Sequence, residues 1–292
     1  MSITETRMTK AELRAAARAE SARIQAEQAA REARQKRLLW GGLGALLAVL
    51  IGVVLAVTQP WRGDANAVPN FDVVPMDQVV NTPANTTPEG GFALTAAGGT
   101  TAYINPDIPT LDIYFDYMCP FCRAFEDVNL ENLMSMVADN EANVVMHPVS
   151  ILDRFTPRTR FSTRALAAAG WIANYAPDSF LAFHEAMFQN QPSEAGGDMS
   201  SARMAELARA AGVPANVAAG IEDGTATQTF GQWVVSLTAR NVNDPALRGP
   251  DGGFGTPTIA LDGVYWLGPD GRPGDWTNPD NLTALVAAAR NS

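Results

Sequence analysis

Between residues 110 and 148, hydrophobic positions follow first the period of a strand, then that of a helix, then that of a strand again. Thr110–Phe115 alternates and is rich in β-forming residues, which predicts a strand. Apolar residues at helical spacing predict a helix over 120–138, and Asn143–Pro148 is typical of a second strand. The apolar positions of the helix are Phe121, Phe125, Val128, Leu130, Leu133 and Met136.

A predominantly helical stretch follows over 159–243. The chain then returns to strands at 258–261 and 264–267, with an Asp-Gly turn signal between them. Asn278 as N-cap and Pro279 as first helical residue predict a final helix. This order of elements is that of an α/β fold.

The stretch 38–59 is uncharged and predicts a transmembrane helix. Its first twenty residues are nearly all apolar and, at about 1.5 Å per residue, span roughly 30 Å, the thickness of a bilayer core. Four basic residues lie at 31–37, whereas Arg62 alone lies just after the stretch. The positive-inside rule then predicts a single-pass protein of the cell membrane with a cytoplasmic N-terminus and an extracytoplasmic C-terminal part.

A cleaved secretory signal is the alternative interpretation of this stretch. The 37 residues that precede it are long for a signal, and the apolar run exceeds the roughly 7–15 residues that are typical. A retained anchor is therefore the favoured interpretation, and both interpretations place the remainder of the chain across the membrane.

Composition divides the rest of the chain into three segments. Residues 1–37 carry nine basic and five acidic residues and predict a cytoplasmic basic helical stub. Residues 60–99 are rich in Pro, Asn and Thr, which predicts an extracytoplasmic linker. A folded domain is expected over 100–292, with its helical part inserted at about 156–245.

Charge and cysteine count exclude several classes of protein. The net charge is −10, and from residue 38 onward twelve arginines face 26 acidic residues, so binding to nucleic acid is not expected. The only cysteines are Cys119 and Cys122, which excludes a small scaffold held by disulfides and a four-cysteine zinc site.

The two cysteines lie at a strand-to-helix junction in the sequence Cys119-Pro120-Phe121-Cys122. Pro120 suits the first helical position, which places Cys119 at the N-cap. There the free backbone N–H groups and the helix dipole favour a thiolate, so we expect an exposed thiol with a lowered pKa. Cys122 lies within bonding reach on the same helical face, and this pair predicts dithiol–disulfide exchange.

Three other interpretations of the pair are weaker. A structural disulfide would close a very short loop and stabilise little. A zinc site would need further ligands, and the only histidines are His147 and His184. Two inert buried thiols would not need Pro-Phe between them at a helix start. No metal or bound cofactor is expected.

The segment 100–290 resembles the DsbA-like branch of the thioredoxin superfamily. The residues that carry the resemblance are Asp116-Tyr117-x-Cys119-Pro120-x-Cys122-Arg123-x-Phe125-Glu126, the stretch Phe183-His184-Glu185-Ala186-Met187-Phe188, and Gly255-Thr256-Pro257-Thr258 before a strand and Asp262-Gly263. The resemblance implies a thioredoxin fold with an inserted helical domain. It also implies that Pro257 is a cis-proline facing the cysteines and that the Thr256 backbone is presented to an extended substrate peptide.

The sequence departs from the best-known DsbA at Phe121. In that DsbA the corresponding residue is a histidine, whose positive charge helps to stabilise the thiolate. Phe121 carries no charge and cannot do this. We therefore expect a pKa for Cys119 below the roughly 8.5 of free cysteine but above the roughly 3.5 of DsbA.

Other candidate residues surround the pair. Glu126 lies one turn after Cys122 and is a candidate relay for the proton of Cys122, although an ordinary half-exposed helix residue is the plainer interpretation. Tyr117, Met118 and Phe121 are candidates for an apolar rim that contacts unfolded substrate, with Phe121 the most exposed. His184 is expected to be a buried helical-domain residue with its hydrogen bonds satisfied.

These observations predict an extracytoplasmic, membrane-anchored thiol–disulfide oxidoreductase acting as an oxidase in oxidative folding. Cys119 would form the mixed disulfide with cysteine pairs of exported proteins, Cys122 would resolve it, and a membrane re-oxidant would accept the electrons. A reductase with the opposite electron flow remains open. So does a non-catalytic peptide-binding or chaperone module on a thioredoxin scaffold.

Overall fold

The computed structural model describes residues 68–291. Within this range no helix has both the length and the apolar character needed to cross a membrane. The stub at 1–37 and the membrane span at 38–59 lie outside the described residues and remain predictions.

A six-stranded mixed sheet forms the centre of the domain, with strand order β2-β1-β4-β3-β5-β6. The strand pair β3–β4 is parallel and the other four neighbouring pairs are antiparallel. The strands are β1 (Phe92–Leu94), β2 (Thr100–Thr101), β3 (Thr110–Phe115), β4 (Asn143–Pro148), β5 (Thr258–Leu261) and β6 (Val264–Tyr265).

The alternation of β3 separates two environments. Ile113 and Phe115 belong to the main hydrophobic core on one face of the sheet. Asp112 and Tyr114 point to the opposite face, because successive residues of a strand alternate, and Tyr114 stacks there on His147 of β4 with ring centroids 4.5 Å apart. The carboxyl end of β3 leads directly into the loop that carries the cysteines.

Seven α-helices accompany the sheet in the described range. The parallel pair β3–β4 is connected by α1, five helices are inserted between β4 and β5, and α7 ends the chain. Their bounds are α1 (Pro120–Ala138), α2 (Phe161–Tyr175), α3 (Phe180–Gln189), α4 (Ser201–Ala210), α5 (Ala215–Glu222), α6 (Thr225–Asn243) and α7 (Pro279–Arg290). The observed insertion, Phe161 to Asn243, agrees with the predicted helical part.

Helices α2 and α6 form the centre of the insertion. Gly170 of α2 faces Trp233 of α6 so closely that a Cβ on the glycine would lie 2.9 Å from the indole ring. Trp233 is fully buried and also meets Phe92 of β1, with ring centroids 5.9 Å apart. The insertion and the sheet therefore share one continuous core.

The predicted linker at 60–99 is corrected by the structure over its described part. β1 lies inside the sheet between β2 and β4, and Phe71 packs so tightly on α6 that a Cβ on Gly231 would lie 2.2 Å from its ring. The Val74 N–H also donates to Ser236 Oγ of α6 at 3.1 Å. A three-residue strand is too short to show alternation, and its stability comes from pairing with β4, which the local sequence does not reveal.

Candidate active site

Cys119 lies at the N-cap of α1, as predicted, with extended backbone dihedrals (φ −78°, ψ 115°), and Pro120 is the first helical residue. Its carbonyl oxygen accepts the N–H groups of Cys122 at 3.1 Å and Arg123 at 3.3 Å, and its own N–H donates to Asp116 O at 2.9 Å. The strand end and the helix start thus fix the backbone of Cys119 on both sides.

The two thiols, which are reduced in this structure, have opposite acid–base properties. The pKa of Cys119 is lowered to about 6, chiefly by a hydrogen bond from the Cys122 thiol and further by hydrogen bonds involving Thr256 and the backbone N–H groups of Cys122 and Phe121, while burial opposes the shift. Burial raises the pKa of Cys122 well above its ordinary value. One thiol is therefore prepared as a nucleophile and the other holds its proton.

The loop before β5 covers Cys119. The Thr256–Pro257 peptide bond is cis, as the family resemblance implied. The Cys119 thiol donates to the Thr256 carbonyl oxygen at 3.1 Å, so this loop lies directly against the cysteine pair. The expectation of an exposed Cys119 is wrong, because only 4% of the residue is accessible under this cover.

Asp116 is fully buried behind the active-site loop. Its Oδ1 accepts the Met118 N–H and its Oδ2 accepts the Leu152 N–H, both at 2.9 Å. Burial raises the pKa of this carboxyl group to about 7, and its charge is one of the contributions that raise the pKa of Cys122. The sequence showed only an acid near the thiols and gave no sign that it would be buried.

The prediction that Tyr117 and Met118 form part of an exposed apolar rim is wrong. Both residues are fully buried in the main core. Tyr117 packs against Phe115 and Phe188, and its hydroxyl group forms a 2.9 Å hydrogen bond with His184 Nδ1 of α3. The inserted helices cover this side of the loop, and a linear sequence does not show which neighbours will cover an aromatic residue.

Glu126 is buried, and its hydrogen-bond partner is a histidine. Its Oε1 lies 3.1 Å from His184 Nε2, and Oε2 has no partner among the described residues. No hydrogen bond joins Glu126 to Cys122 in the described part of the chain, so the predicted relay is not supported. His184 is buried and bonded at both ring nitrogens, as expected, and it links Glu126 to Tyr117.

Phe121 is the one member of the predicted rim that is exposed, with 65% of its surface accessible. It lies between the cysteines at the start of α1. An aromatic side chain in this position can contact an apolar part of a substrate polypeptide, as predicted, but it contributes no charge to the thiolate.

Gln191 was not anticipated from the sequence. Its side-chain Nε2 donates to Tyr117 O at 2.9 Å and to Cys119 O at 2.8 Å, across more than 70 residues of chain. No motif marks this residue, which follows α3 by two positions. Within residues 68–291, no group of three His, Cys, Asp or Glu side chains is arranged to hold a metal ion.

The chain is similar in sequence to a known protein family and to a larger protein. A family model described as Thioredoxin matches residues 105–265, which is more than half of the chain. A curated relative, the serine/threonine-protein kinase PknE of Mycobacterium tuberculosis, is 29% identical over 183 residues. The aligned part is 59% of this chain, and the chain spans only 29% of the length of that relative.

Similarity to solved structures supports the fold independently of the family match. A DsbA crystal structure from Mycobacterium tuberculosis aligns with 26% identity and a TM-score of 0.53, covering 69% of this chain and 93% of that one. A disulfide bond oxidoreductase, DsbG, from the same organism aligns with 26% identity and a TM-score of 0.53, covering 70% and 89%. MdbA of Actinomyces oris, a thiol-disulfide oxidoreductase, aligns at 21% identity with a TM-score of 0.50, covering 75% and 100%, and supports the fold alone. Thiol–disulfide exchange is the activity class that these named neighbours share with the geometry of the Cys119 site.

Proposed function

The chain belongs to the thioredoxin family, and from that premise we propose that it is a thiol–disulfide oxidoreductase acting on cysteine pairs of exported proteins. The observation that carries the proposal is the placement of Cys119 at the N-cap of α1, with Cys122 one turn into the helix and the Thr256 carbonyl oxygen 3.1 Å from the Cys119 sulfur. The two pKa shifts, lowered at Cys119 and raised at Cys122, agree with this placement. This asymmetry supports Cys119 as the cysteine that forms the mixed disulfide with substrate and Cys122 as its internal partner.

The reaction starts from the Cys119–Cys122 disulfide. A substrate thiolate attacks Cys119 Sγ, the Sγ–Sγ bond breaks, and Cys122 leaves with the electron pair and takes up a proton. The second substrate thiolate then attacks the substrate sulfur of the mixed disulfide, and Cys119 leaves as a thiolate. The substrate loses two electrons and the enzyme gains them, ending as the reduced dithiol.

The difference between the pKa values of Cys119 and Cys122 favours the second step of this reaction. A thiol with a low pKa is the better leaving group, so the second step, in which Cys119 departs, is accelerated. Cys122 leaves in the first step into an apolar environment and is protonated there. Burial and Cys119 are the main causes of the raised Cys122 pKa, and Asp116, itself buried with a pKa of about 7, is the carboxyl group that adds to them, a part that Glu126 does not have.

The substrate segment would lie along the loop that contains Thr256 and Pro257. The Thr256 carbonyl oxygen, which the Cys119 thiol now occupies at 3.1 Å, becomes available to a substrate backbone when that thiol is engaged. An extended peptide would then pair with the loop by strand addition. Exposed Phe121 would contact apolar substrate side chains on the other side of Cys119.

In this proposal the catalytic domain lies outside the cytoplasmic membrane and is attached to it through the predicted helix at 38–59. The charge asymmetry around that stretch supports this topology. Oxidising compartments are where disulfide formation proceeds, and an oxidase there needs a membrane re-oxidant to accept two electrons per turnover. The pKa of Cys119 is lowered to about 6, between the roughly 7 of thioredoxin and the roughly 3.5 of DsbA, so the proposed direction of electron flow rests on the oxidising compartment.

Thiol alkylation in intact cells tests the direction. Free thiols are trapped by acid quenching and alkylation, and the redox form of the full chain is separated by mass. An oxidase is held mainly as the Cys119–Cys122 disulfide, so most of the chain should resist alkylation. A mainly reduced pair would support the reductase and overturn the oxidase.

Protease accessibility tests the topology. Protease added to intact cells from which the wall has been removed should destroy the domain after residue 62 and spare the first 37 residues. Protection of the domain in intact cells, with digestion only after lysis, would contradict the proposed location while leaving the exchange chemistry untouched.

A further inference from the structure

Gln191 contacts the active-site loop from the inserted helices. It follows α3 by two residues, and its Nε2 donates to the carbonyl oxygens of Tyr117 and Cys119 at 2.9 Å and 2.8 Å. A side-chain amide nitrogen carries two hydrogens, so each carbonyl receives its own donor. The two acceptors flank Met118 and belong to the segment that leads into the nucleophilic cysteine.

These hydrogen bonds act on the charge around Cys119. A carbonyl oxygen is the negative end of a peptide dipole, and an unpaired one beside a thiolate opposes its charge. The Cys119 oxygen already accepts two N–H groups of α1, and Gln191 adds a third donor to it. The Tyr117 oxygen receives its donor from Gln191 in the same way.

Helix α3 and the turn after it hold Tyr117 at two separate points. The Tyr117 hydroxyl group is bonded to His184 of α3, and the Tyr117 carbonyl oxygen is bonded to Gln191. The contact with His184 is buried, and the contact with Gln191 is partly buried. The position of the loop is therefore set from the insertion as well as from β3 and α1.

We propose that Gln191 is a positioning residue, which holds the backbone on both sides of Met118 in the arrangement that keeps the Cys119 thiolate stable. The inference deepens the proposed exchange function and rests on Cys119 being its nucleophile. Gln191 does not touch the sulfur and transfers no proton. It acts through the backbone of the loop, which makes it a link between the insertion and the reactivity of the cysteine.

The test compares Gln191→Glu with Gln189→Glu in the purified full chain. Gln189, the last residue of α3, is exposed and its side chain forms no hydrogen bond in the described part of the chain, so it is a matched control for the added charge. Above its own pKa the glutamate at 191 has no donor and places a charge against two carbonyl groups. The rate of Cys119 alkylation is measured against pH for each variant.

Gln191→Glu should raise the pKa of Cys119 by about one unit and so lower the thiolate fraction about tenfold below that pKa, because two carbonyl groups near the thiolate lose their donor and meet a negative charge. Gln189→Glu should leave the pH profile unchanged. Wild-type profiles for both variants, or equal shifts in both, would overturn the proposal.

The Gln191→Met variant tests the same proposal if the glutamate variant does not fold. Methionine has a similar length and no donor, so it removes both hydrogen bonds without adding charge. A raised pKa of Cys119 supports the positioning role, and an unchanged one overturns it. Because alkylation reports on the thiol directly, failure here is distinct from failure of disulfide exchange, which would appear as the absence of mixed disulfides with substrate.

Discussion

Two buried histidine–carboxylate pairs lie on opposite faces of the same sheet, and only one of them contacts the active-site loop. His147 Nε2 lies 2.7 Å from Asp112 Oδ1, and Asp112 Oδ2 accepts the Gly263 N–H at 3.1 Å. This pair joins β3, β4 and the turn after β5. On the other face, His184 joins Glu126 of the catalytic helix to Tyr117 of the loop before Cys119.

Burial of an ionisable pair therefore does not by itself indicate a role in catalysis. Both histidines are almost fully buried, and both have a carboxylate partner. His147 binds only groups that hold strands together, whereas His184 binds a residue two positions before the nucleophile. We expect both pairs to stabilise the fold and only His184 to affect the reactivity of Cys119.

Asp116→Asn should have the largest effect on how stability depends on pH. In the folded state the pKa of Asp116 is raised from 3.8 to about 7, so between these values only the folded state holds the proton. The free energy of unfolding of the wild type should fall as pH rises through this window, by about 4 kcal/mol in total from this group. Below about pH 4 and above about pH 7 its contribution should be constant.

Urea unfolding of the oxidised full chain at a series of pH values measures this effect, because oxidation removes the titration of the thiols. The Asn variant should lack this part of the slope. An equal slope in both proteins would show that Asp116 titrates normally and would remove it from the control of Cys122.

Removal of each histidine tests the comparison directly. His147→Leu leaves the Asp112 carboxylate without its partner and should lower the free energy of unfolding by about 3–5 kcal/mol, with the Cys119 pKa unchanged. His184→Leu should destabilise by a similar amount, because Glu126 and the Tyr117 hydroxyl group lose their partner, and should also shift the Cys119 pKa. If both variants or neither shifted that pKa, the distinction between the two faces would be wrong.

Phe121→His should have the smallest effect. A histidine cation beside Cys119 should lower its pKa and make the couple more oxidising, moving it toward the roughly −120 mV of DsbA and away from the roughly −270 mV of thioredoxin. Because residue 121 is 65% exposed, solvent weakens the interaction to at most about 1 kcal/mol, or less than one pKa unit. Alkylation against pH and equilibration with glutathione measure both quantities, and no change in either would mean that residue 121 does not set the potential.

The sequence alone predicted the elements whose residues show a clear local pattern. The bounds of β3, α1, β4 and β5 agree with the alternation, the helical period and the turn signals, and the resemblance to DsbA-like proteins of the thioredoxin superfamily is confirmed. The N-cap position of Cys119 followed from Pro120 alone. These features depend on neighbours along the chain, which a sequence displays.

Features that depend on distant neighbours were missed or wrong. β1 is stable because β4 pairs with it, 50 residues away, and its own three residues look like linker. The burial of Asp116 and Tyr117 and the cover over Cys119 arise from the inserted helices and the Thr256 loop, so composition around the cysteines did not indicate them. Gln191 reaches the loop across 72 residues, and nothing in its local sequence marks it.

Trapping of mixed disulfides tests the central claim, that Cys119 is the cysteine that forms the mixed disulfide with substrate and Cys122 is its internal partner. In the full chain expressed in cells, Cys122→Ala keeps the Cys119 thiolate, which attacks a substrate disulfide, breaks its S–S bond and forms a mixed disulfide. Without the Cys122 thiol to displace the substrate sulfur, these mixed disulfides should accumulate, visible as species that disappear on reduction. Cys119→Ala retains only the fully buried thiol of high pKa and should trap none. Equal trapping by both variants, or trapping by Cys119→Ala alone, would contradict the account.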